Sequence, residues 1–289
     1  MKTQKQKTID FFKNLLFALI AALLIKSFLI ETSRVPTGSM ETTIKVGDFL
    51  FVNKFIYGSS SPRNIPFTDI ALPFFQLPAF KEPEKGEIVV FEYPGDRDEL
   101  VPKAITNYVK RCMATPGDTI QIINKVVFVN GEMLPIPTHI QYEKMYPTPA
   151  GVGYPSIFPK GSGWNTDNYG PYVVPKKGDV VNLNAQNIEW WRTIIDREFA
   201  KRVVSVKNGK IFIENNKVSS YTIQKDYYFM MGDNRDNSED SRFWGLVPRD
   251  LIIGETLMIY WSWDPSYSFA EFFKLIGSTR ISRIAKIVH

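Results

Sequence analysis

Histidine and cysteine are nearly missing from this chain of 289 residues, which holds two histidines, His139 and His289, and one cysteine, Cys112. A lone cysteine excludes an intramolecular disulfide. A zinc site of Cys and His ligands would have to lean heavily on carboxylates, and no HExxH occurs. The D-[TS]-G signature of aspartic proteases is missing too; "GDTI" (117–120) carries Ile where glycine is needed. The net charge of +5 comes from 35 basic and 30 acidic residues spread along the chain without a long basic run, which argues against nucleic acid as a partner. No internal repeat of roughly 20–50 residues appears, so a solenoid is excluded.

What is present begins with an apolar run. Of the twenty residues "FFKNLLFALIAALLIKSFLI" (11–30), sixteen are apolar. As a helix they would span about 30 Å, the thickness of a bilayer's hydrocarbon core. Lys13 and Lys26 lie near the ends, where long stems can snorkel to headgroups. The competing reading is a secretory signal peptide with Lys2, Lys5 and Lys7 as its basic start, but no A-x-A-like site follows; the next residues are Glu31, Thr32, Ser33 and Arg34. The basic residues before the run keep residues 1–10 in the cytoplasm by the positive-inside rule, and place 31–289 outside it.

The remainder reads as mainly β. Glycine followed by an acid and then a short apolar run recurs in "VGDFLFV" (46–52), "KGEIVVFEY" (85–93), "PGDTIQI" (116–122) and "KGDVVNL" (178–184). Such pairs suit tight turns and the Val, Ile and Phe after them suit strands. "VVFVNGEML" (126–134) and "VKNGKIFIENNKVS" (206–219) read as hairpins, since Asn-Gly favours the required turn. One helix is expected within 185–204, where Ile188, Trp191, Ile194, Ile195 and Phe199 fall near helical spacing. Residues 58–84 are a proline-rich excursion, and 135–164 reads as an insertion rich in Pro, Gly and aromatics. The runs at 74–80 and 142–164 are either core or a surface that meets lipid.

The chain leaves the apolar run and turns through Pro36, Thr37 and Gly38 onto Ser39 and Met40. A serine hydroxyl needs a neighbouring base to act as a nucleophile. His289 is terminal and His139 sits among prolines, which leaves lysine as the alternative base. Lysine serves only when its amine is neutral, and burial among apolar groups favours that form. Lys110 in "NYVKRCMATPGDTI" (107–120) fits, flanked by Tyr108, Val109, Cys112 and Met113, with Asp118 the nearest acid in sequence. Period-two alternation puts Arg111 on the other face. On composition alone, a solvated Lys-Arg pair is the simpler reading. A third polar stretch, "MGDNRDNSEDSRFWGLVP" (231–248), fails the EF-hand spacing and reads as an Asx-rich turn structure or a solvated loop.

At these three stretches the sequence resembles the bacterial type I signal peptidases, also called leader peptidases. "PTGSM", "YVKRCMATPGD" and "GDNRDNSEDSRFWG" resemble the family's serine, lysine and third boxes, in the family's order after an apolar anchor. The resemblance implies Ser39 as nucleophile and Lys110 as general base. It implies an oxyanion hole from the Thr37 hydroxyl and the Ser39 amide, Ser238 hydrogen-bonded to Lys110, and a supporting pair of Asp240 and Arg242. Val35, Pro36, Met40, Ile44, Tyr108 and Val109 would line shallow pockets for small side chains. Glu41-Thr42-Thr43 departs from the proline that many members carry after Ser-Met.

The implied architecture is a single transmembrane helix (11–30) followed by an extracytoplasmic β-rich peptidase domain, with a catalytic core at 31–134 and 205–265 and an inserted subdomain near 135–204. The implied activity is cleavage of signal peptides from exported preproteins at the outer face of the cytoplasmic membrane. The partners would be those preproteins and membrane lipid, with no metal or cofactor; the oligomeric state is left open. The alternatives are another Ser-Lys peptidase, of the conjugation or self-cleaving repressor type, and a membrane-anchored binding protein without catalysis. The repressor needs a DNA-binding module where this chain has its apolar run, and a dead homologue would have lost Ser39 or Lys110.

Overall fold

The computed structural model describes residues 3–59, 75 and 77–288. Most of the proline-rich excursion and His289 lie outside the described residues. Helix α1 runs Gln4–Phe28 and begins well before the apolar run. Thr3 accepts the Gln6 amide on its hydroxyl while the Gln6 side chain accepts the Thr3 amide, at 3.3 and 2.9 Å. This capping box satisfies amides that a helix start leaves open, so polar residues rather than hydropathy set the boundary. None of the described residues of α1 is buried, and an 18-residue stretch of it with a mean hydropathy of 1.9 makes it long and apolar enough to cross a membrane.

Along the chain follow β1 (Ile30–Arg34), β2 (Asp48–Asn53), β3 (Ile88–Glu92), β4 (Asn107–Ala114), β5 (Thr119–Ile123), β6 (Val126–Val129) and β7 (Glu132–Met133). Then come β8 (Tyr169–Val173), β9 (Val180–Asn182), α2 (Ile188–Glu198), β10 (Val204–Lys207), β11 (Lys210–Ile213), β12 (Asn216–Val218) and β13 (Ser220–Thr222). The last elements are β14 (Tyr227–Met231), α3 (Ser241–Trp244), β15 (Val247–Pro248), β16 (Ile252–Ser262), α4 (Phe272–Gly277) and β17 (Lys286–Ile287).

The first lobe is one antiparallel sheet in the order β1-β2-β16-β3-β4-β14-β15, with β17 on β16. Strand β16 has eleven residues and pairs β3 along one half and β2 along the other; Glu255 lies opposite both Val89 and Asn53. Both faces of the centre are covered. Ile88 and Val90 pack with Met40, Ile44, Leu50 and Val109 on one side. Val89 and Phe91 pack with Cys112, Tyr228, Met230 and Trp244 on the other. A lysine on β4 is therefore enclosed whichever way it points.

The second lobe holds the sheet β7-β6-β5-β8, the three-stranded β10-β11-β12, the pair β9-β13, and α2. The expected hairpins are there: Asn130-Gly131 has φ of 54° and 83°, and Asn208-Gly209 has 50° and 70°. Both central residues are left-handed, as the hairpin turn requires. The expected boundaries shift, however. Residues 135–204 do not form a sheet of their own: β8 pairs β5 and β9 pairs β13, so strands on both sides of the insertion complete this lobe. Residues beyond 265 also return to the first lobe, where Arg283 meets the fully buried Asp48 at 2.9 Å. Helix α2 is shorter than the 185–204 span, because Asp196 turns its carboxylate onto the amides of Val203 and Val204 at 2.8 and 2.9 Å and starts the next strand. The aromatic runs divide between both readings: Phe158 is core, while Phe80 and Tyr146 are largely exposed.

Candidate active site

Ser39 lies in the loop between β1 and β2. The loop is pinned on its inner side by the buried Met40 and Ile44, and at its base by the Gly47 amide on the Val35 carbonyl at 3.0 Å. The segment after β14 holds its outer side. Asn234 donates its amide to the Ser39 carbonyl at 3.1 Å and its side chain to Gly38 at 3.2 Å, and Thr43 donates to Asp233 at 2.6 Å. Gly232 admits this approach because a Cβ there would stand 2.4 Å from the Ser39 carbonyl oxygen.

Lys110 reaches the same point from β4, and its Nζ donates to Ser39 Oγ at 2.5 Å. The side that Lys110 faces is aromatic: Nζ lies 5.4 Å from the Tyr108 ring centre and 6.0 Å from that of Trp244. Only 3% of Lys110 is exposed, so the solvated-pair reading is excluded. Burial pushes the amine down to about 8 from the ordinary 10.5, with the Arg242 charge assisting and Asp240, Asp233 and Glu239 opposing. The sequence suggested no carboxylate near Lys110; the fold brings three, and desolvation still outweighs them. Period-two alternation does send Arg111 to the other face, but that face is closed as well. Arg111 binds Asp233 through Nε at 2.9 Å and Nη2 at 2.7 Å.

A buried amine with a lowered pKa opposes folding in one pH window. Below about pH 8 both the folded and unfolded chains carry the proton and the desolvation penalty is complete. Between there and the unfolded value near 10.5 the unfolded chain binds more proton, so stability rises with pH. Lys110→Met should therefore stabilise the chain by about 3 kcal/mol at pH 7. The gain should vanish as pH approaches about 10.5. Urea unfolding at both pH values checks this; equal stability of variant and parent at pH 7 would contradict the burial of a strained amine.

The third stretch builds the floor. Asp240 caps α3 and takes Arg242 by both oxygens, Nε and Nη2 each at 2.8 Å, with the Gly232 amide at 3.1 Å. Burial raises the Asp240 carboxyl, but Arg242, the Gly232 amide and the Lys110 charge together hold it below its ordinary value. Arg242 spends its remaining donors on the carbonyls of Arg235 at 2.7 Å and Thr166 at 3.3 Å. Ser238 departs from expectation. Among the described residues its hydroxyl bonds only the Glu239 carbonyl, at 3.5 Å, and not Lys110. The lysine is held by Ser39 and by the aromatic wall instead.

A cavity of about 40 Å³ opens beside the pair, lined by Val35, Pro36, Thr37, Met40, Tyr108 and Val109 with Arg34, Asn107, Ser39 and Lys110. That volume has room for only a few waters and suits one small side chain. Ile44, expected on its wall, is fully buried in the cluster that holds Met40 and does not line it. Among the described residues, a larger open cleft of about 600 Å³ between Glu82 and Tyr228 is lined by no serine and no buried amine. Thr37 is exposed at the cavity mouth. The sequence reading missed Asp233, Asn234, Arg111 and Thr43 as the frame of the serine loop. It also missed the Tyr93 and Trp244 rings that back Tyr108 at 4.6 and 5.4 Å. No local pattern signals pairs 122 or 190 residues apart.

A serine hydroxyl within hydrogen-bond reach of an amine poised to be neutral can lose its proton as it attacks a carbonyl. Comparison with known proteins points to the same class. The family described as "Signal peptidase, peptidase S26" matches residues 8–261, which include Ser39, Lys110 and the third stretch. Signal peptidase I of Pseudomonas aeruginosa is 29% identical over 286 residues, covering 93% of this chain and 78% of that one. Signal peptidase I of Rickettsia typhi is 30% identical over 301 residues, covering 99% and 94%. That of Aquifex aeolicus is 28% identical over 262 residues, covering 86% and 82%. With a match that takes in the serine loop, the lysine strand and the stretch that frames them, the chain belongs to the signal peptidase family, peptidase S26, and is a serine endopeptidase.

Proposed function

We propose that this chain removes signal peptides from exported preproteins with Ser39 as nucleophile and Lys110 as general base and acid. The observation that carries the reading is the 2.5 Å bond between Ser39 Oγ and a lysine amine enclosed in the sheet. Neutral Lys110 takes the hydroxyl proton as Oγ adds to the scissile carbonyl. The oxyanion is met by the Ser39 amide and the Thr37 hydroxyl. The protonated amine then gives its proton to the leaving nitrogen, and the acyl-enzyme is hydrolysed by a water that the same amine deprotonates. The cavity of about 40 Å³ favours substrates with small side chains before the cut. Helix α1 is read as the anchor, with the basic residues before the apolar run inside and the catalytic lobe on the outer face of the cytoplasmic membrane.

Incubation of the detergent-solubilised protein with a preprotein, followed by N-terminal sequencing of the product, tests the reading. A new N-terminus directly after a small residue is expected; no product would overturn it. The oxyanion role has its own test. Thr37→Val should lower kcat by about 100-fold with KM little changed, since a donor aimed at developing charge acts only in the transition state. Thr37→Ser should retain most of the rate. A KM effect without a kcat effect would place Thr37 in binding alone.

A further inference from the structure

The turn between β3 and β4 is held from the second lobe. Arg197 on α2 directs its guanidinium at four main-chain carbonyls: Gly95 and Asp96 at 2.7 Å, Glu99 at 3.2 Å and Trp244 at 3.2 Å. Arg97, within the turn, reaches back to the carbonyls of Pro155 and Ile157 at 2.7 and 2.8 Å. Thr193, one helical turn before Arg197, donates to the Arg97 carbonyl at 3.1 Å. The residues so fixed lead directly to the wall around Lys110. Trp244 lies edge-on to Tyr93 at 5.2 Å and to Tyr108 at 5.4 Å, and Tyr93 stacks on Tyr108 at 4.6 Å.

We infer that Arg197 is a positioning residue, through which the second lobe holds the Trp244, Tyr93 and Tyr108 wall against Lys110. The fork of a guanidinium suits the task, because its fixed donors bind carbonyls of two chain segments at once and set their spacing. The inserted strands and helix thus contribute to the reaction without touching substrate.

The inference rests on the reading of Lys110 as the base. The groups that face its amine are Ser39 from the serine loop, Asp233 after β14, and Glu239, Asp240 and Arg242 from the third stretch. Arg197 is not among them, and Arg197→Lys keeps its positive charge, so comparing the two Arg197 variants separates the wall from the lost charge. If the wall loosens, water reaches Lys110 and its proton is held to higher pH.

The experiment compares Arg197→Met, Arg197→Lys and Arg192→Met in the full chain, with kcat, KM and the acid limb of kcat/KM read below each melting temperature. Arg192 lies on the same helix, but its bonds to Glu189 and the Val204 carbonyl stay inside the second lobe. Arg197→Met should lower kcat by about 10- to 100-fold and move the acid limb to higher pH. Arg197→Lys should recover part of both, and Arg192→Met should leave the limb in place. An unmoved limb in folded Arg197→Met, or an equal movement in Arg192→Met, would overturn the positioning role. If Arg197→Met does not fold, Thr193→Val replaces it, with a smaller movement in the same direction expected and none overturning the inference. Failure of the Lys110 reading is distinguishable, since Lys110→Met would then retain activity.

Discussion

Replacing Ser39 by alanine or Lys110 by methionine is expected to lower kcat/KM for preprotein cleavage by at least about 10⁴-fold, with little further loss in the double variant. In the proposed mechanism the two groups share one proton, so removing either should end the same step. The folded state should survive both changes: Ser39→Ala leaves a small void, and Lys110→Met removes an amine that opposes folding at neutral pH. Loss of activity with gain of stability separates chemistry from collapse. In the parent, the acid limb of kcat/KM should lie near the amine's value of about 8, well above the ordinary histidine range. His139→Ala should leave it unmoved, because the hydrogen-bond partner of Ser39 Oγ is Lys110. Near-normal cleavage by either purified variant, or an acid limb that disappears with His139, would defeat the mechanism.

Arg242→Ala carries the largest expected loss of stability, about 3–5 kcal/mol, because it strands the fully buried Asp240 carboxylate. The same change frees the Arg235 and Thr166 carbonyls that the guanidinium satisfies. It also removes a positive charge that lowers the Lys110 value, so the acid limb should move to higher pH in the fraction that remains folded. Asp240→Asn combined with Arg242→Met should recover part of the stability, since no charge is then left unpaired. Calorimetry and a pH profile read the two effects independently. A melting temperature and limb both equal to the parent's would mean that the third stretch is a solvated loop, contrary to its burial.

Much of this was legible in the sequence because it depends on local chemistry. Asn130-Gly131 and Asn208-Gly209 specify hairpins by the left-handed conformations that those residue types tolerate. Alternation along "NYVKRC" was enough to part Lys110 from Arg111. The scarcity of histidine left lysine as the available base for Ser39, and the apolar run foretold α1, though not the Thr3 cap that starts it. Only the tertiary structure decided the rest. It closed both faces of β4, so that Arg111 became the buried partner of Asp233 instead of a solvated charge. It bonded the Ser238 hydroxyl to the Glu239 carbonyl rather than to Lys110, set Ile44 in the core rather than on the cavity wall, and gave strands from both sides of the insertion to one lobe. The physical reason is common to all of these: a side chain's environment depends on segments a hundred or more residues away. Sequence fixes which groups can donate, accept or hold charge, but packing alone determines which of them are left without water.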